Sequence, residues 1–228
     1  MFDRVKVTHL LHFVFCSYYT EYMRGEWATF EYEQKAREAG YGNIAGIDEV
    51  GRGAVAGPVS VGLVVLPEDF QIPVTDSKLL SPKQRAEKAA LIVQAAIVCE
   101  VMHIEAKYID QHGIMAAQRQ AVQRIWEMVD PLPAYVLLDG RYDFTGLGGA
   151  ARVETIVHGD RASVSIAAAS IVAKHARDEL MRRYALMYPE YGFEMHVGYG
   201  TPNHLAAIRR HGLSPLHRRS FLQKYIQG

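Results

Sequence analysis

The chain has 228 residues, enough for one large domain, and its content of 49% hydrophobic and 22% charged residues is typical of a globular protein. Its formal net charge is zero, so the whole-molecule charge does not steer the protein toward nucleic acid. No apolar run approaches the ~20 residues of a membrane helix. The isolated Cys16 and Cys99 indicate neither a zinc site nor a disulfide framework. This cysteine usage fits a reducing compartment, and we predict a cytoplasmic protein.

Strands and helices are predicted to alternate along the chain. After a helix over residues 31–39, short apolar runs bounded by glycine, proline or polar residues predict five strands. These strands are expected over 44–47, 58–66, 99–104, 134–138 and 152–157. The alternation predicts an α/β fold built on one sheet.

Several further helices are predicted between and after the strands. Ser81, Pro82 and Gln84 form a helix start, with the serine as N-cap, for a helix reaching toward residue 97. Longer helices are expected over 109–129 and 163–187. The second carries small residues at 167–170 that favour close packing, and two helical pieces follow it, separated by residues 212–215.

The most informative segment is DEVGRG, residues 48–53, which closes a short apolar strand. The adjacent Asp48 and Glu49 repel each other, and burying them is costly unless a cation neutralises them. A divalent metal is the usual reason to tolerate such a pair, because hard cations prefer oxygen ligands. Gly51 and Gly53 let the backbone approach a ligand, and Arg52 between them can reach a phosphate or a ribose. The segment therefore indicates phosphodiester chemistry at a strand end.

Two more aspartates lie where such a site would form. Asp139 ends a predicted strand, and Asp160 precedes the helix near residue 163. In α/β sheets ligands gather at strand ends. Because a regular strand points Asp48 and Glu49 to opposite faces, we expect the pleat to break there if both reach one metal. The alternatives are a turn role for Asp139 and an N-cap role for Asp160.

The C-terminal segment is basic. Residues 196–228 contain no acid but five basic residues and four histidines: Arg209, Arg210, Arg218, Arg219, Lys224, His196, His204, His211 and His217. The histidines could add charge below neutral pH. The segment is either a footprint for a phosphate backbone or a solvated helical face.

Taken together, these segments resemble bacterial ribonuclease HII. The resemblance begins with residues 44–53 and 56–59 and covers roughly residues 30 to 225, in order and without large insertions. It continues through residues 76–80, 138–140, 159–160, 165–174, 177–178, 198–201, His204 and 217–221.

The resemblance implies a ribonuclease H-like fold, with a central mixed five-stranded sheet flanked by helices and a small helical C-terminal part. It also implies a type 2 ribonuclease H, an endonuclease that hydrolyses the RNA strand of RNA/DNA hybrids. Such an enzyme would also nick 5′ of single ribonucleotides in duplex DNA, leaving 5′-phosphate and 3′-hydroxyl ends, in ribonucleotide excision and DNA replication or repair. Its cofactors would be Mn²⁺ or Mg²⁺ ions, and its partners RNA/DNA hybrids and ribonucleotide-containing DNA. We expect a monomer without a membrane partner.

The same resemblance assigns site residues. The catalytic and metal-binding set is Asp48, Glu49, Asp139 and Asp160, and the substrate-binding set is Gly51, Arg52, Gly53, Ser77, Lys78, Lys174 and Tyr199. The Gly-Arg-Gly tripeptide would contact the ribonucleotide and its 2′-hydroxyl, and Tyr199 the sugar that follows. From the residues alone, Lys174 could instead form a helix pair with Asp178, Lys78 could be a solvated loop lysine, and Tyr199 a core residue.

Other readings of function and of domain organisation stay open. The chain could be another carboxylate-metal nuclease or phosphoryl transferase, although the Gly-Arg-Gly tripeptide and Tyr199 argue against it. It could also be a non-catalytic module that binds RNA/DNA hybrids, although all four acids are present. We predict a catalytic domain over residues 31–228. Residues 1–30 would be an extension, either a disordered tail or sequence upstream of the natural start.

Overall fold

The computed structural model describes residues 27–141 and 151–226, with side chains to residue 223. Its five strands form one mixed sheet in the order β3–β2–β1–β4–β5. They are β1 (Ile44–Val50), β2 (Val59–Val65), β3 (Val98–Ile104), β4 (Tyr135–Asp139) and β5 (Arg152–Ile156). β2 is antiparallel to both β1 and β3, whereas β4 is parallel to both β1 and β5. The predicted α/β class and mixed five-stranded sheet are confirmed.

The helices cover both faces of the sheet and form the C-terminal part. They are α1 (Glu31–Glu38), α2 (Pro82–Ala95), α3 (Ala106–His112), α4 (Ile114–Met128), α5 (Gly159–Ala162), α6 (Val164–Met187), α7 (Phe193–His196), α8 (Pro202–His211) and α9 (Arg219–Ile226). Two 3₁₀ turns occur at Ser77–Leu79 and Pro189–Tyr191. The predicted start of α2 is confirmed, because Ser81 and Gln84 exchange the two hydrogen bonds of a capping box. No helix in the described ranges is long and apolar enough to cross a membrane.

One predicted helix was wrong. The helix expected over 109–129 is two helices, because Gly113 has φ +83 and interrupts the helix between α3 and α4. Residues just before 31 also contact the sheet and helices, while the predicted start of the domain at residue 31 stays a prediction. The Ala28 N–H donates to the Val74 carbonyl at 3.0 Å, and the Thr29 N–H donates to the Ala162 carbonyl at 3.2 Å. Residues 1–26 lie outside the described part of the chain.

Helix α6 lies very close to the sheet because glycines stand beneath it. A Cβ added at Gly46 of β1 would come within 2.0 Å of the Ser165 carbonyl carbon, and one at Gly62 of β2 within 2.6 Å of the Ala169 carbonyl oxygen. The small residues expected on this helix, Ala167, Ala168, Ala169 and Ser170, are all buried. This close approach brings the polar side chains of α6 down to the level of the sheet.

We expect Gly46→Ala to lower the free energy of unfolding by about 3 kcal/mol or more, because backbone atoms of α6 would have to move to admit the methyl group. Urea denaturation measures the change. Gly42→Ala is the matched control, because nothing lies within 4 Å of the Cβ position there. Equal stabilities of the two variants would contradict the close packing of α6 on β1.

Candidate active site at the β1 and β4 strand ends

Asp48 and Glu49 lie on opposite faces of a regular strand. Both pair in register with β2, Asp48 opposite Gly62 and Glu49 opposite Val61. The Asp48 carboxylate therefore faces α6, where the Ser170 hydroxyl hydrogen-bonds to it, while Glu49 faces α4. The expected break in the pleat is wrong, because the ladder between β1 and β2 continues through Val50.

Asp139 and Asp160 reach the same edge from two other segments. β4 is parallel to β1 with Leu138 opposite Ile47, so the next residue, Asp139, lies level with Asp48. The Asp139 Oδ1 accepts a hydrogen bond of 2.7 Å from the N–H of Gly159, which begins the short helix α5. Three separate chain segments thus bring four carboxylates to one edge of the sheet.

Asp160 lies inside the first turn of α5 and is not an N-cap, so that alternative was wrong. The cap of the following helix α6 is Ser163, whose Oγ accepts a hydrogen bond of 3.3 Å from the Ile166 N–H. Asp160 is 5% exposed, and its carboxylate pairs with Lys78 instead of capping a helix.

The carboxylates repel one another in a poorly solvated site. Burial, followed by the charges of Glu49 and Asp139, raises the pKa of Asp48 well above its usual value. Burial and the charge of Asp139 raise the pKa of Glu49 to about 7, against the opposing charge of Arg52, whose Nη1 lies 3.8 Å from Glu49 Oε1. Such a site is stabilised by added positive charge.

Lys78 supplies positive charge beside Asp160. Its Nζ lies 3.5 Å from Asp160 Oδ2 and 3.3 Å from Asp76 Oδ1, and Asp76 also binds Arg161 at 3.2 Å. Burial alone would lower the pKa of Lys78, but Asp76 and Asp160 raise it above its usual value. The side chain of Lys78 is 73% exposed, so this lysine is both an ion-pair partner and open to solvent.

No three His, Cys, Asp or Glu side chains within residues 27–141 and 151–226 are arranged as a group that could hold a metal ion. The donor chemistry nevertheless fits a divalent cation. All four candidate groups are hard oxygen donors, and burial disfavours the charge on Asp48, Glu49 and Asp160. A cation would offset that cost.

A second group of predicted residues lies around Tyr199. Two cations lie over the ring of Tyr199. The Lys174 Nζ is 5.8 Å from the ring centroid, and the guanidinium carbon of Arg177 is 5.6 Å from it. Lys174 also forms the expected helix pair, with its Nζ 2.7 Å from Asp178 Oδ1. The Asp178 Oδ2 in turn accepts a bond of 3.0 Å from Arg85.

Arg85 connects this second group to the carboxylates. Its Nε donates to the carbonyl of Ser77 at 3.0 Å. The Ser77 Oγ lies 3.0 Å from the Oγ of Ser170, the serine that hydrogen-bonds to Asp48. Ser77, one of the residues predicted to contact phosphate, is therefore held next to the carboxylate site.

The Gly-Arg-Gly turn is joined to the C-terminal part of the protein by Arg218. This arginine is 0% exposed and donates to the carbonyls of Arg52 and Gly57 at 3.0 Å each. Its burial excludes Arg218 from the predicted phosphate-backbone footprint, whereas Arg209, Arg210 and Arg219 are exposed. The side chain of Lys224 lies outside the described residues.

Two of the C-terminal histidines do not add charge near neutral pH. Burial lowers the pKa of His204 and of His217 to about 4, so both stay neutral until the solution is acidic. The expectation that these two would carry charge was wrong, because both rings are packed inside the C-terminal part.

Comparison with known proteins places most of the described chain in one family. Residues 45–224 match the ribonuclease HII family. The ribonuclease HII of Thermosynechococcus vestitus is 44% identical over 197 residues, which cover 86% of this chain and 91% of that one. The chain belongs to the ribonuclease HII family.

Solved structures agree with this fold. The ribonuclease H2 of Pyrococcus horikoshii OT3 superposes with a TM-score of 0.71 at 26% identity, covering 82% of this chain and 98% of that chain. Bst-RNase HIII, solved in complex with Mn²⁺, shares the fold at a TM-score of 0.60 and 17% identity, covering 84% of this chain and 71% of that chain. The ribonuclease H-like fold expected from the sequence is therefore confirmed.

Family membership also confirms the class of enzyme. Ribonuclease HII proteins are type 2 ribonucleases H, which are endonucleases of the hydrolase class. They depend on divalent metal ions, and their fold binds nucleic acid substrates.

Several residues that shape the candidate site were given no site role in the sequence analysis. Ser170 could have been noticed as a polar residue in the apolar stretch 166–173. Gln118 of α4 is buried beside Glu49 and lowers its pKa, and Arg177 is buried beneath Tyr199. Gln118 gave no signal, because a glutamine on a helix is ordinarily expected to face solvent. Arg177 entered only through the resemblance over residues 177–178, with no role assigned to it.

Proposed function

We propose that this chain nicks duplex DNA on the 5′ side of an embedded ribonucleotide and hydrolyses the RNA strand of RNA/DNA hybrids. The products would carry 5′-phosphate and 3′-hydroxyl ends, and the role would be in ribonucleotide excision and DNA replication or repair. The observation that carries the proposal is that four carboxylates from three chain segments lie at the same end of β1 and β4, near enough for their charges to raise the pKa of Asp48 and Glu49. The expectation of a cytoplasmic monomer stays a prediction.

Asp48, Glu49, Asp139 and Asp160 would hold divalent cations, Mn²⁺ or Mg²⁺. When bound, such cations supply charge relief at the phosphoryl group and lower the pKa of a bound water. The fit rests on hard oxygen donors whose burial is costly without added positive charge. The residues around the carboxylates would then orient the substrate and select the ribonucleotide.

The turn at Gly51, Arg52 and Gly53 would read the ribonucleotide. Gly51 has φ +85, and a Cβ there would meet Arg177 Nε at 2.1 Å, so only glycine lets this backbone pass against the buried arginine. The 2′-hydroxyl is both donor and acceptor, and backbone groups at this turn can distinguish ribose from deoxyribose.

Tyr199 would pack against the sugar that follows the ribonucleotide, where an added hydroxyl would interfere. Ser77, Lys78 and Lys174 would contact phosphates. Lys78 suits that role because its side chain is 73% exposed while Asp76 and Asp160 hold its ammonium group at the edge of the site. Lys174 suits it because Asp178 fixes the ammonium group beside Tyr199.

The test uses a labelled DNA duplex with one ribonucleotide, an all-DNA duplex of the same sequence, and a long RNA/DNA hybrid. With Mn²⁺ or Mg²⁺ we expect one nick 5′ of the ribonucleotide, cleavage of the hybrid, no cleavage of the all-DNA duplex, and no cleavage of any substrate in EDTA. Cleavage of the hybrid alone would refute the ribonucleotide role given to the Gly-Arg-Gly turn and Tyr199. Inertness of the folded protein on all three substrates with either metal would instead favour a hybrid-binding module.

A further inference from the structure

A chain of hydrogen bonds runs from Ser214 through two buried histidines to the backbone of Tyr199. The Ser214 N–H lies 2.9 Å from His217 Nδ1, and His217 Nε2 lies 3.1 Å from His204 Nε2. His204 Nδ1 lies 2.9 Å from the Tyr199 carbonyl oxygen. His204 is 0% and His217 2% exposed, so solvent competes for none of these contacts.

The contacts fix which ring nitrogens carry protons. The Tyr199 carbonyl can only accept, so His204 carries its proton on Nδ1, and its Nε2 is an acceptor. His217 must then carry its proton on Nε2 to donate to His204. The His217 Nδ1 is left as the acceptor for Ser214. All four groups are satisfied together only when both rings are neutral and hold these tautomers.

The surroundings keep the rings neutral and in place. The ring of His196 stacks on His204 with centroids 4.2 Å apart, and its Nε2 donates to the Tyr191 carbonyl at 2.9 Å. Phe193 meets the edge of His204 at 5.5 Å. Burial, aided by the neighbouring histidines, holds the pKa of both His204 and His217 at about 4.

Tyr199 depends on this support because its backbone lies in a tight turn between Gly198 and Gly200. Gly198 has φ +86, and its Cβ position is 2.3 Å from the Ala56 carbonyl oxygen. The Tyr199 side chain is only half-buried, against Lys174 and Arg177. The Tyr199 carbonyl also accepts from the Thr201 N–H at 2.8 Å, and the Tyr199 N–H donates to the His196 carbonyl at 2.9 Å. The His204 side chain therefore adds a third bond to the backbone whose direction decides where the ring points.

We propose that His204, oriented by His217, is a positioning residue for Tyr199. Through Tyr199 it would set how efficiently the enzyme cleaves at a single ribonucleotide in DNA relative to a long RNA/DNA hybrid. The inference rests on the proposed function, because Tyr199 would recognise the deoxyribose after the ribonucleotide. A long hybrid has ribose at both positions and offers no such junction, so displacement of Tyr199 affects it less.

Two substitutions at His204 separate positioning from mere packing. An asparagine amide places its nitrogen where Nδ1 lies, while a glutamine amide reaches only the Nε2 position. We expect His204→Gln to lower kcat/KM on the single-ribonucleotide duplex about tenfold relative to the hybrid, a difference of about 1.4 kcal/mol. His204→Asn should keep that ratio within about threefold of the wild type, even if its melting temperature falls. His211→Asn, an exposed histidine on the same helix, is the control.

Equal substrate ratios for the two His204 variants, both folded by circular dichroism, would overturn the proposal. If His204→Gln does not fold, His217→Phe serves instead. It removes the partner of His204 Nε2 together with the acceptor of the Ser214 N–H, and it should shift the ratio in the same direction. An unchanged ratio would refute the orienting role of His217.

A second measurement does not depend on activity. Nitrogen-15 NMR of the histidine rings should find the Nδ1–H tautomer at His204 and the Nε2–H tautomer at His217 at about pH 6 to 8. This range lies well above the lowered pKa values of both rings. The opposite tautomers, or an imidazolium at about pH 6, would overturn the hydrogen-bond chain from Ser214 to Tyr199. If the wild type does not nick at a ribonucleotide while the tautomers are as described, the proposed function fails and the geometry of the hydrogen-bond chain stands.

Discussion

Asp48→Asn is expected to abolish cleavage and leave the fold and hybrid binding in place. Turnover should fall more than about 100-fold, because changing even the groups that only orient metal ligands costs about 10–100-fold. The protein should be no less stable, because the amide removes a buried charge that Glu49, Asp139 and Asp160 repel. Single-turnover cleavage, thermal denaturation and binding of a labelled hybrid measure the three properties.

The matched control for this substitution is Asp69→Asn, the same chemical change on an exposed residue of the loop after β2. It should cleave at the wild-type rate. Near-wild-type turnover of Asp48→Asn would remove Asp48 from the metal-binding set. A large loss of stability would show that its carboxylate is held by contacts stronger than the repulsion described above.

Arg177→Leu is expected to lower the free energy of unfolding by about 3–5 kcal/mol. Arg177 is 0% exposed and donates to three carbonyls, those of Pro58 at 2.9 Å, Val197 at 2.9 Å and Ala56 at 3.2 Å. Leucine would leave all three buried acceptors without this donor and would not fill the space of the guanidinium. Urea denaturation gives the difference directly.

Arg183→Leu is the control for that measurement, because Arg183 is an exposed arginine on the same helix. It should change stability by less than about 0.5 kcal/mol. If the two leucine variants unfold at the same urea concentration, the three carbonyl bonds of Arg177 contribute little. The buried arginine would then have to be explained by its contact with Tyr199 alone.

The strands were predictable from the sequence because their patterns are local. Apolar runs such as the one over β2 are bounded by proline. The capping box of Ser81 and Gln84 marks the start of α2. The break at Gly113 was not predictable, because a helical pattern continues on both sides of it. A glycine inside such a pattern is often tolerated, and its positive φ is visible only in the structure.

The acidic residues were also found from the sequence, but their arrangement was not. Which face of β1 carries Asp48 and which carries Glu49 has meaning only once α6 and α4 are placed on the two sides. Burial of Arg218 and His204 was equally out of reach, because the residue type predicts exposure and only tertiary contacts reverse it. The basic C-terminal segment was therefore assigned too much available charge.

The arginines that cross between segments have a consequence for the entropy of binding. Arg218 joins the carbonyl of Arg52, in the Gly-Arg-Gly turn, to the C-terminal part, and the Val55 N–H donates to the Gly198 carbonyl at 2.9 Å. The Gly-Arg-Gly turn and the segment 198–200 around Tyr199 are therefore already held together before any nucleic acid binds. A ligand that touches both meets a preorganised surface and loses little free energy to ordering it. The proposed recognition of a ribonucleotide and the next sugar by the Gly-Arg-Gly turn and Tyr199 would then resemble binding to a single rigid element, although the two segments are distant in sequence.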